Sequence, residues 1–333
     1  MRIDFHTHII PPPGTMDWTA RFGPGRWPSL TAEPDGMATL RMGDEVVMKI
    51  DDRFWSPERR LVDMDKQGVD MQVLSPIPLL SGYLLPAGPN QEIARFLNSF
   101  IADVVKAQPD RFLGMGAVPL QSPELAIEEL GFLKDSLQMR AVQIGTCPAG
   151  RELDDPLLFP FFEACQELDF PVFVHPMQPL AGGDRLQDHY LPNIVGNPLE
   201  TGLAITRLIV GGVLERLPHL RICFAHGGGA WPLIMGRVDK GFAVRNEMRA
   251  DIGRPPSDYS KQVYVDSLTF DAASLRFVVD RMGPDRVVLG SDYPFGLGDP
   301  DPARGVEASG LQPGVADAVM EANLWAYLGG GPH

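Results

Sequence analysis

Short apolar runs alternate with longer amphipathic stretches along almost the whole chain, and this alternation restricts the fold more than anything else in the sequence. Runs at 3–8, 70–74, 112–118, 141–144, 171–174, 220–225, 263–265 and 286–290 read as strands. Between them lie helical patterns at 56–67, 90–108, 123–136, 156–168, 198–214, 231–248 and 272–282, and two short helices close the chain. The first of these helices has a marked start, with Ser56 as N-cap and Pro57 in the first turn, and it ends near Gly68. Strands that alternate with helices form a parallel sheet. Eight such units in 333 residues predict closure into a (β/α)8 TIM barrel, a single domain over 1–333. The strands read as near-continuous apolar runs, as strands buried on both faces should.

One stretch breaks the rhythm. After the first strand, residues of about 11–55 carry Pro11-Pro12-Pro13, several glycines, Trp18 and Trp27, with one small strand predicted over 45–50. Inserts of this length inside a compact domain are commonly lids or binding loops, so a lid or small surface hairpin is expected here.

Composition narrows the partners. A formal charge of -14 argues against nucleic acid and against an anionic membrane surface, both of which need basic patches. The 3 cysteines are too widely spaced for a disulfide framework or a zinc ribbon, and Cys165 and Cys223 read as buried thiols. No apolar run reaches the roughly 20 residues of a membrane span, and the opening stretch lacks the charged-then-apolar plan of a secretion signal. A cytoplasmic protein is expected. Gly227-Gly228-Gly229 follows a strand but lacks the spacing of a phosphate-binding loop.

The polar residues at strand ends carry the functional signal. His6 and His8 close the first strand, His175 the fifth, His226 the sixth and Asp292 the eighth. In a strand, side chains at i and i+2 share a face, so His6 and His8 project together, with Phe5 expected to turn the other way. The C-terminal strand ends of a barrel carry its active site. His6, His8, His175 and Asp292 offer three imidazoles and a carboxylate to one divalent cation, with a position left open for water or substrate. His226 reads as a fifth ligand or a nearby general base, and the base is preferred, because a water whose pKa a cation draws toward ~7 needs a neighbour to take its proton. His219, His189 and His333 fall elsewhere.

These residues, in this order, resemble the amidohydrolase superfamily. Asp4-Phe5-His6-Thr7-His8, Val174-His175-Pro176, Cys223-Phe224-Ala225-His226-Gly227-Gly228-Gly229, Gly236-Arg237-Val238-Asp239 and Leu289-Gly290-Ser291-Asp292-Tyr293-Pro294-Phe295 resemble, more narrowly, the α-amino-β-carboxymuconate-ε-semialdehyde decarboxylase (ACMSD) family. The likeness extends through Met64-Asp65-Lys66-Gln67-Gly68-Val69-Asp70 and Arg254-Pro255-Pro256-Ser257 and spans essentially the whole chain. It implies loss of CO2 without oxidation from a conjugated or aromatic carboxylic acid, on a Zn2+ ion, with manganese, cobalt or iron as other occupants of such a ligand set. It also implies that Arg237 reaches into a neighbouring subunit's site to hold a substrate carboxylate, and hence a homodimer. The family's second clamping arginine is missing: the aligned place reads Val47-Met48-Lys49-Ile50, which leaves Lys49 as a substitute and Arg53 as a less well aligned one. Trp231, Phe295 and Met177 stand near the ligands in sequence as pocket-lining candidates. The fourth strand ends Gln143-Ile144-Gly145 without the bridging lysine of binuclear relatives, which favours one metal ion. A hydrolase or hydratase of the same superfamily, attacking with an activated water, is the alternative, and a catalytically silent binding barrel is a third reading.

Overall fold

The computed structural model describes residues 1–177 and 183–331. Strand β1 (Ile3–Ile9) opens the chain, and the insertion follows with β2 (Pro28–Ala32), β3 (Ala38–Met42) and β4 (Glu45–Ile50). The main sheet resumes with β5 (Met71–Pro76), β6 (Phe112–Ala117), β7 (Ala141–Gly145), β8 (Val172–His175), β9 (Ile222–Phe224), β10 (Val263–Asp266) and β11 (Val287–Val288). Its eight strands run in the order β1-β5-β6-β7-β8-β9-β10-β11, every ladder parallel. Backbone bonds across the ends close it: Phe5 N–H to the Leu289 carbonyl (2.9 Å), Asp292 N–H to His6 (2.8 Å) and His8 N–H to Tyr293 (2.8 Å). The expected TIM barrel is therefore what forms.

Around it lie helices α1 (Pro57–Gln67), α2 (Ala87–Ala107), α3 (Pro123–Gly131), α4 (Phe159–Glu167), α5 (Asn197–Val210), α6 (Trp231–Val244) and α7 (Ala272–Met282). The α1 start is as expected, Ser56 Oγ accepting from Arg59 N–H at 3.1 Å and Gly68 taking the left-handed cap at φ 64°. Helix α2 begins earlier than its apolar spacing predicts, because Gly88 and Pro89 sit in the first turn, where the missing proline N–H has no partner to lose.

Side-chain parity along the strands sorts the core into two layers. Ile3, Phe5, Met71, Val73, Ala141, Phe173, Cys223 and Tyr264 fill the barrel interior, and Tyr327 from the C-terminal helix packs 5.2 Å from Phe5, ring to ring. The intervening residues, among them Val172, Val174, Ile222, Phe224, Val263 and Val265, face the helices. Cys165 and Cys223 are buried, as expected.

One local feature differs from simple alternation. The β1–β5 register shifts between Asp4 and Thr7. An extra residue in one strand inverts parity beyond it. Phe5 therefore does not turn away from the histidines: its ring and that of His6 each lie 4.9 Å from Phe173. The irregularity lets Ile3 and Phe5 fill the interior below while His6 and His8 occupy it above.

The insertion is more ordered than its proline and glycine content suggests. It is a three-stranded antiparallel sheet, β2-β3-β4, of which only β4 was expected. Leu30, Ala38, Leu40 and Ile50 form its buried face, packing with Ile77, Leu80, Ile93 and Leu97 from the segments after β5. The small sheet is thus seated against the rim where the strands end.

Candidate metal centre

The upper interior of the barrel is polar. By parity, β5 contributes Ser75, β7 Gln143, β8 His175, β10 Asp266 and the segment after β11 Gly290 and Asp292, around His6 and His8. Gly290 is required there, since a Cβ would sit 2.8 Å from the Cβ of Asp266 and 2.9 Å from that of His6.

The Nε2 atoms converge. His6 Nε2 lies 3.1 Å from His8 Nε2, and Asp292 Oδ1 is 3.2 Å from the first, 3.1 Å from the second and 3.8 Å from His175 Nε2. His226 Nε2 approaches the other oxygen, Oδ2, at 3.7 Å. Ligand atoms of His6, His175, His226 and Asp292 all lie within 4.8 Å of one another. Tetrahedral Zn–N bonds of about 2.0–2.1 Å put neighbouring donors ~3.3 Å apart, close to the spacing seen here.

Each ligand's far nitrogen is held. His6 Nδ1 donates to Asp266 Oδ2 at 2.7 Å, and His175 Nδ1 donates to the Pro176 carbonyl at 2.8 Å. His8 Nδ1 faces the Pro76 carbonyl at 3.2 Å and Ser75 Oγ at 3.0 Å. With protons on Nδ1, the Nε2 lone pairs point at one another, an arrangement that a cation between them satisfies. His175 Nε2 and Asp292 Oδ1 are buried without a hydrogen-bond partner. The donor set fits one divalent ion.

Electrostatics agree. Burial pushes the His175 pKa down to about 3, against the opposing pull of Asp292, so that imidazole is neutral. Burial also disfavours charge on His6, yet the Asp292 and Asp266 carboxylates raise it to about 10. Asp292, for all its burial, is held well below the usual carboxylate range by the imidazoles around it. The two carboxylates flank the His6 ring at its opposite nitrogens and favour positive charge there.

Backbone geometry serves the same centre. His226 and Asp292 have φ of 58° and 60°, a left-handed conformation that costs a non-glycine residue energy. The Asp266 carboxylate holds the first, accepting from the N–H groups of His226 (2.9 Å) and Gly227 (2.8 Å). The glycine run after His226 is a packing requirement: a Cβ on Gly229 would meet the Pro198 carbonyl oxygen at 2.3 Å.

Other expected site residues lie in varied places. Phe295 borders the centre, its ring 5.4 Å from His8 and 5.2 Å from Phe54. Met177 Sδ and Tyr83 Cε2 crowd Gly145, which pairs with His175 in the ladder. Lys49 is on the small sheet, bonded to Asp35 at 2.7 Å and half exposed. Trp231 is buried between strands and helices, its indole N–H donating to Ser260 at 3.2 Å in the segment leading into β10. Arg237 is exposed on α6. Arg53 is tied to Asp51 and lines a cavity of ≈ 530 Å³ with Arg59, Asp63, Tyr293 and Phe295. That cavity contains none of the imidazoles, and Arg59 and Lys66 in it pair with Asp63, so it reads as a solvated ion-pair cluster beside the centre.

Sequence reasoning missed Asp266, Ser75 and Gln143. Asp266 follows Val265 as Asp292 follows its own strand, so counting β10 one residue further was the available signal. Gln143 stands near the end of the fourth strand, where binuclear relatives carry lysine. Its Oε1 accepts from Ser75 Oγ at 2.9 Å and its amide donates to the Pro76 carbonyl at 3.0 Å, bracing the partners of His8.

Comparisons with known proteins point the same way. The profile of the amidohydrolase family Amidohydro_2 matches residues 3–325. A 2-amino-3-carboxymuconate-6-semialdehyde decarboxylase of Dictyostelium discoideum is 38% identical over 338 residues, covering 100% of this chain and 93% of its own. Among solved structures, the 5-carboxyvanillate decarboxylase of Sphingomonas paucimobilis superposes with a TM-score of 0.77 at 26% identity, covering 84% of this chain and 85% of its own. A dihydroxybenzoic acid decarboxylase of Polaromonas sp. JS666, solved with manganese and 2-nitroresorcinol, gives 0.81 at 24% identity and covers 98% and 96%.

Proposed function

This chain belongs to the amidohydrolase family and to its metal-dependent, non-oxidative decarboxylases, and from that premise we propose a zinc enzyme acting on a conjugated or aromatic carboxylic acid. The observation that carries the site assignment is the convergence of His6, His8 and His175 Nε2 on Asp292 Oδ1, with His226 at the other oxygen.

We assign His6, His8, His175 and Asp292 as metal ligands. A divalent cation, if held by these residues, would supply Lewis-acid polarisation of a substrate oxygen and so favour loss of CO2 from a conjugated acid. The carbon that loses CO2 must take a proton. We assign that transfer to Nε2 of His226, supported by its approach to Asp292 Oδ2 at 3.7 Å while the other three imidazoles face Oδ1. Phe295 contributes an aromatic wall beside His8, which suits a flat, conjugated substrate. Lys49 and Trp231 are left out of the substrate contacts, because each side chain is committed elsewhere.

The substrate's remaining carboxylate falls to Arg237 of a second copy. Leu233, Arg237, Lys240 and Val244 recur at helical spacing on one exposed face of α6, with Leu233 76% exposed and Val244 57% exposed. Leu199 and Leu203 are exposed on α5, which packs against α6. An apolar stripe carrying an arginine supports a homodimer. The free thiols support a reducing, cytoplasmic setting, and no helix among the described residues is long and apolar enough to cross a membrane.

The test is incubation of zinc- and manganese-loaded protein in D2O with 2,6-dihydroxybenzoate, 5-carboxyvanillate and aminocarboxymuconate semialdehyde. CO2 release with one deuterium at the vacated carbon is expected from at least one. No CO2 from any of these acids, with hydrolysis of an ester or lactone that puts solvent oxygen into the acid product instead, overturns the proposal in favour of a hydrolase.

A further inference from the structure

Helix α1 sends one fully buried arginine into the layer behind the metal centre. Arg60 is 0% exposed. Its Nη2 donates to the His8 carbonyl at 2.5 Å and approaches that of Arg53 at 3.4 Å, and its Nη1 donates to Gln72 Oε1 at 3.0 Å. The guanidinium carbon stands 4.6 Å over the ring of Tyr293, the residue after Asp292. Three residues on along α1, Asp63 accepts the Tyr293 hydroxyl at 3.0 Å. One helix thus grips the segments that carry His8 and Asp292.

Those segments meet at the seam of the barrel. Strand β11 has only two ladder residues, so beyond Val288 the eighth strand reaches Asp292 through irregular backbone with little ladder to fix it. Its ties there include Asp292 N–H to the His6 carbonyl, His8 N–H to the Tyr293 carbonyl, Ser291 N–H and Oγ to the Asp4 carboxylate, Gly290 N–H to Ser267 Oγ, and the side chains from α1. Burying a guanidinium without a directly bonded carboxylate is costly, and a well-packed apolar residue would serve the fold at least as well. What an apolar residue would not do is bond the His8 carbonyl while stacking on the neighbour of Asp292.

We propose that Arg60 is a positioning residue for the metal centre: it sets the spacing between His8 and Asp292 across the closing seam. The inference rests on the metal-centre reading above. It assigns Arg60 no contact with substrate.

The test is a Co2+ titration of wild type, Arg60→Met, Arg60→Lys and Tyr293→Phe, read by the dissociation constant from chelator competition and by the visible Co2+ absorption bands. These bands report ligand geometry and are not moved by a loss of global stability alone. Wild type is expected to bind one Co2+, and its failure to do so overturns the metal-centre reading itself, independently of the variants. Arg60→Met is expected to bind ten- to a hundredfold more weakly, in the range seen for outer partners of metal ligands, with shifted bands. Arg60→Lys, which can restore one bond to the His8 carbonyl, is expected to fall between the two. Tyr293→Phe keeps the ring and loses the tie to Asp63, and a shift of the bands with severalfold weaker binding is expected. An Arg60→Met protein with the wild-type constant and bands overturns the inference, even if it melts at lower temperature. Should Arg60→Met not fold, unchanged constants and bands in both Arg60→Lys and Tyr293→Phe overturn it instead.

Discussion

Replacing Asp266 with asparagine removes one charge and almost no volume, and the consequences follow from its four hydrogen bonds. Oδ2 accepts from His6 Nδ1 (2.7 Å) and His226 N–H (2.9 Å), and Oδ1 from Gly227 N–H (2.8 Å) and Leu268 N–H (3.0 Å). Every partner is a donor. An asparagine supplies one oxygen, so its amide must face two of those donors, whichever way it turns. A buried donor left unsatisfied costs about 1–3 kcal/mol, so the fold should lose roughly 2–6 kcal/mol before relaxation. The second effect is on metal binding. If the amide nitrogen faces His6, Nδ1–H loses its acceptor and the ring is free to change tautomer. If it faces Gly227, the turn that carries His226 loosens instead. Outer partners of metal ligands are typically worth 10–100-fold in affinity, about 1.4–2.7 kcal/mol. The assay is zinc affinity by competition with a chromophoric chelator at neutral pH, alongside urea unfolding of the same samples. A folded Asp266→Asn protein that keeps both zinc affinity within twofold of wild type and wild-type kcat would refute the claim that Asp266 fixes either the His6 ring or the turn that carries His226.

Further outcomes follow from the same geometry. His226→Asn should lower kcat by roughly 10²–10⁴-fold while zinc affinity stays near wild type, and loss of the metal in this variant would make His226 a ligand rather than a proton carrier. Phe295→Ala removes an edge-to-face partner worth about 0.5–1.5 kcal/mol, so KM for an aromatic acid should rise roughly 2–10-fold, read from initial rates. Chelation should lower the melting temperature by roughly 3–8 °C, since a metal present at a hundred times its Kd contributes about 2.7 kcal/mol, and a scan unchanged by chelator would count against a preformed site. Burial raises the Asp4 pKa from 3.8 to about 7, despite the bonds from Ser291. The folded state therefore holds a proton that the unfolded chain has released between those values, so stability falls as pH rises through that window, by up to about 4 kcal/mol. Asp4→Asn should remove this slope, and a wild-type-minus-variant difference equal at pH 4 and pH 7.5 in urea unfolding would contradict it.

The barrel was legible because its signal is periodic and repeated. Buried parallel strands are apolar whatever surrounds them, and the helices announce their faces and, at Ser56-Pro57, their starts. The insertion was not, because its strands are short and lie between prolines and glycines. Pro28–Ala32 and Ala38–Met42 are joined by a tight turn through Asp35 and Gly36, at φ 80°, and only Leu30, Ala38 and Leu40 mark the inner face. What makes those strands is the surface they sit on, supplied by Ile77, Leu80, Ile93 and Leu97 from distant parts of the chain. No local pattern encodes that surface.

At the centre, residues that end strands were readable and residues that hold them were not. His6, His8, His175, His226 and Asp292 stand out as polar groups where apolar runs stop. Ser75 and Gln143 carry the same parity but sit beside common residue types, so nothing local separates a brace from a surface side chain, and Asp266 shows itself only when β10 is counted one residue further. The register shift in β1 shows the deeper limit. A His-x-His pair satisfies the period-two rule with or without an extra residue before it, and the rule gives the right answer for His6 and His8 while misplacing Phe5. With strict alternation, interior Ile3 and Phe5 would send both histidines out toward the helices, away from Asp292. The extra residue lets one strand supply both floor and ligands, so restoring strict alternation by deleting a residue between Asp4 and Thr7 would turn either the ligands or the core side chains outward.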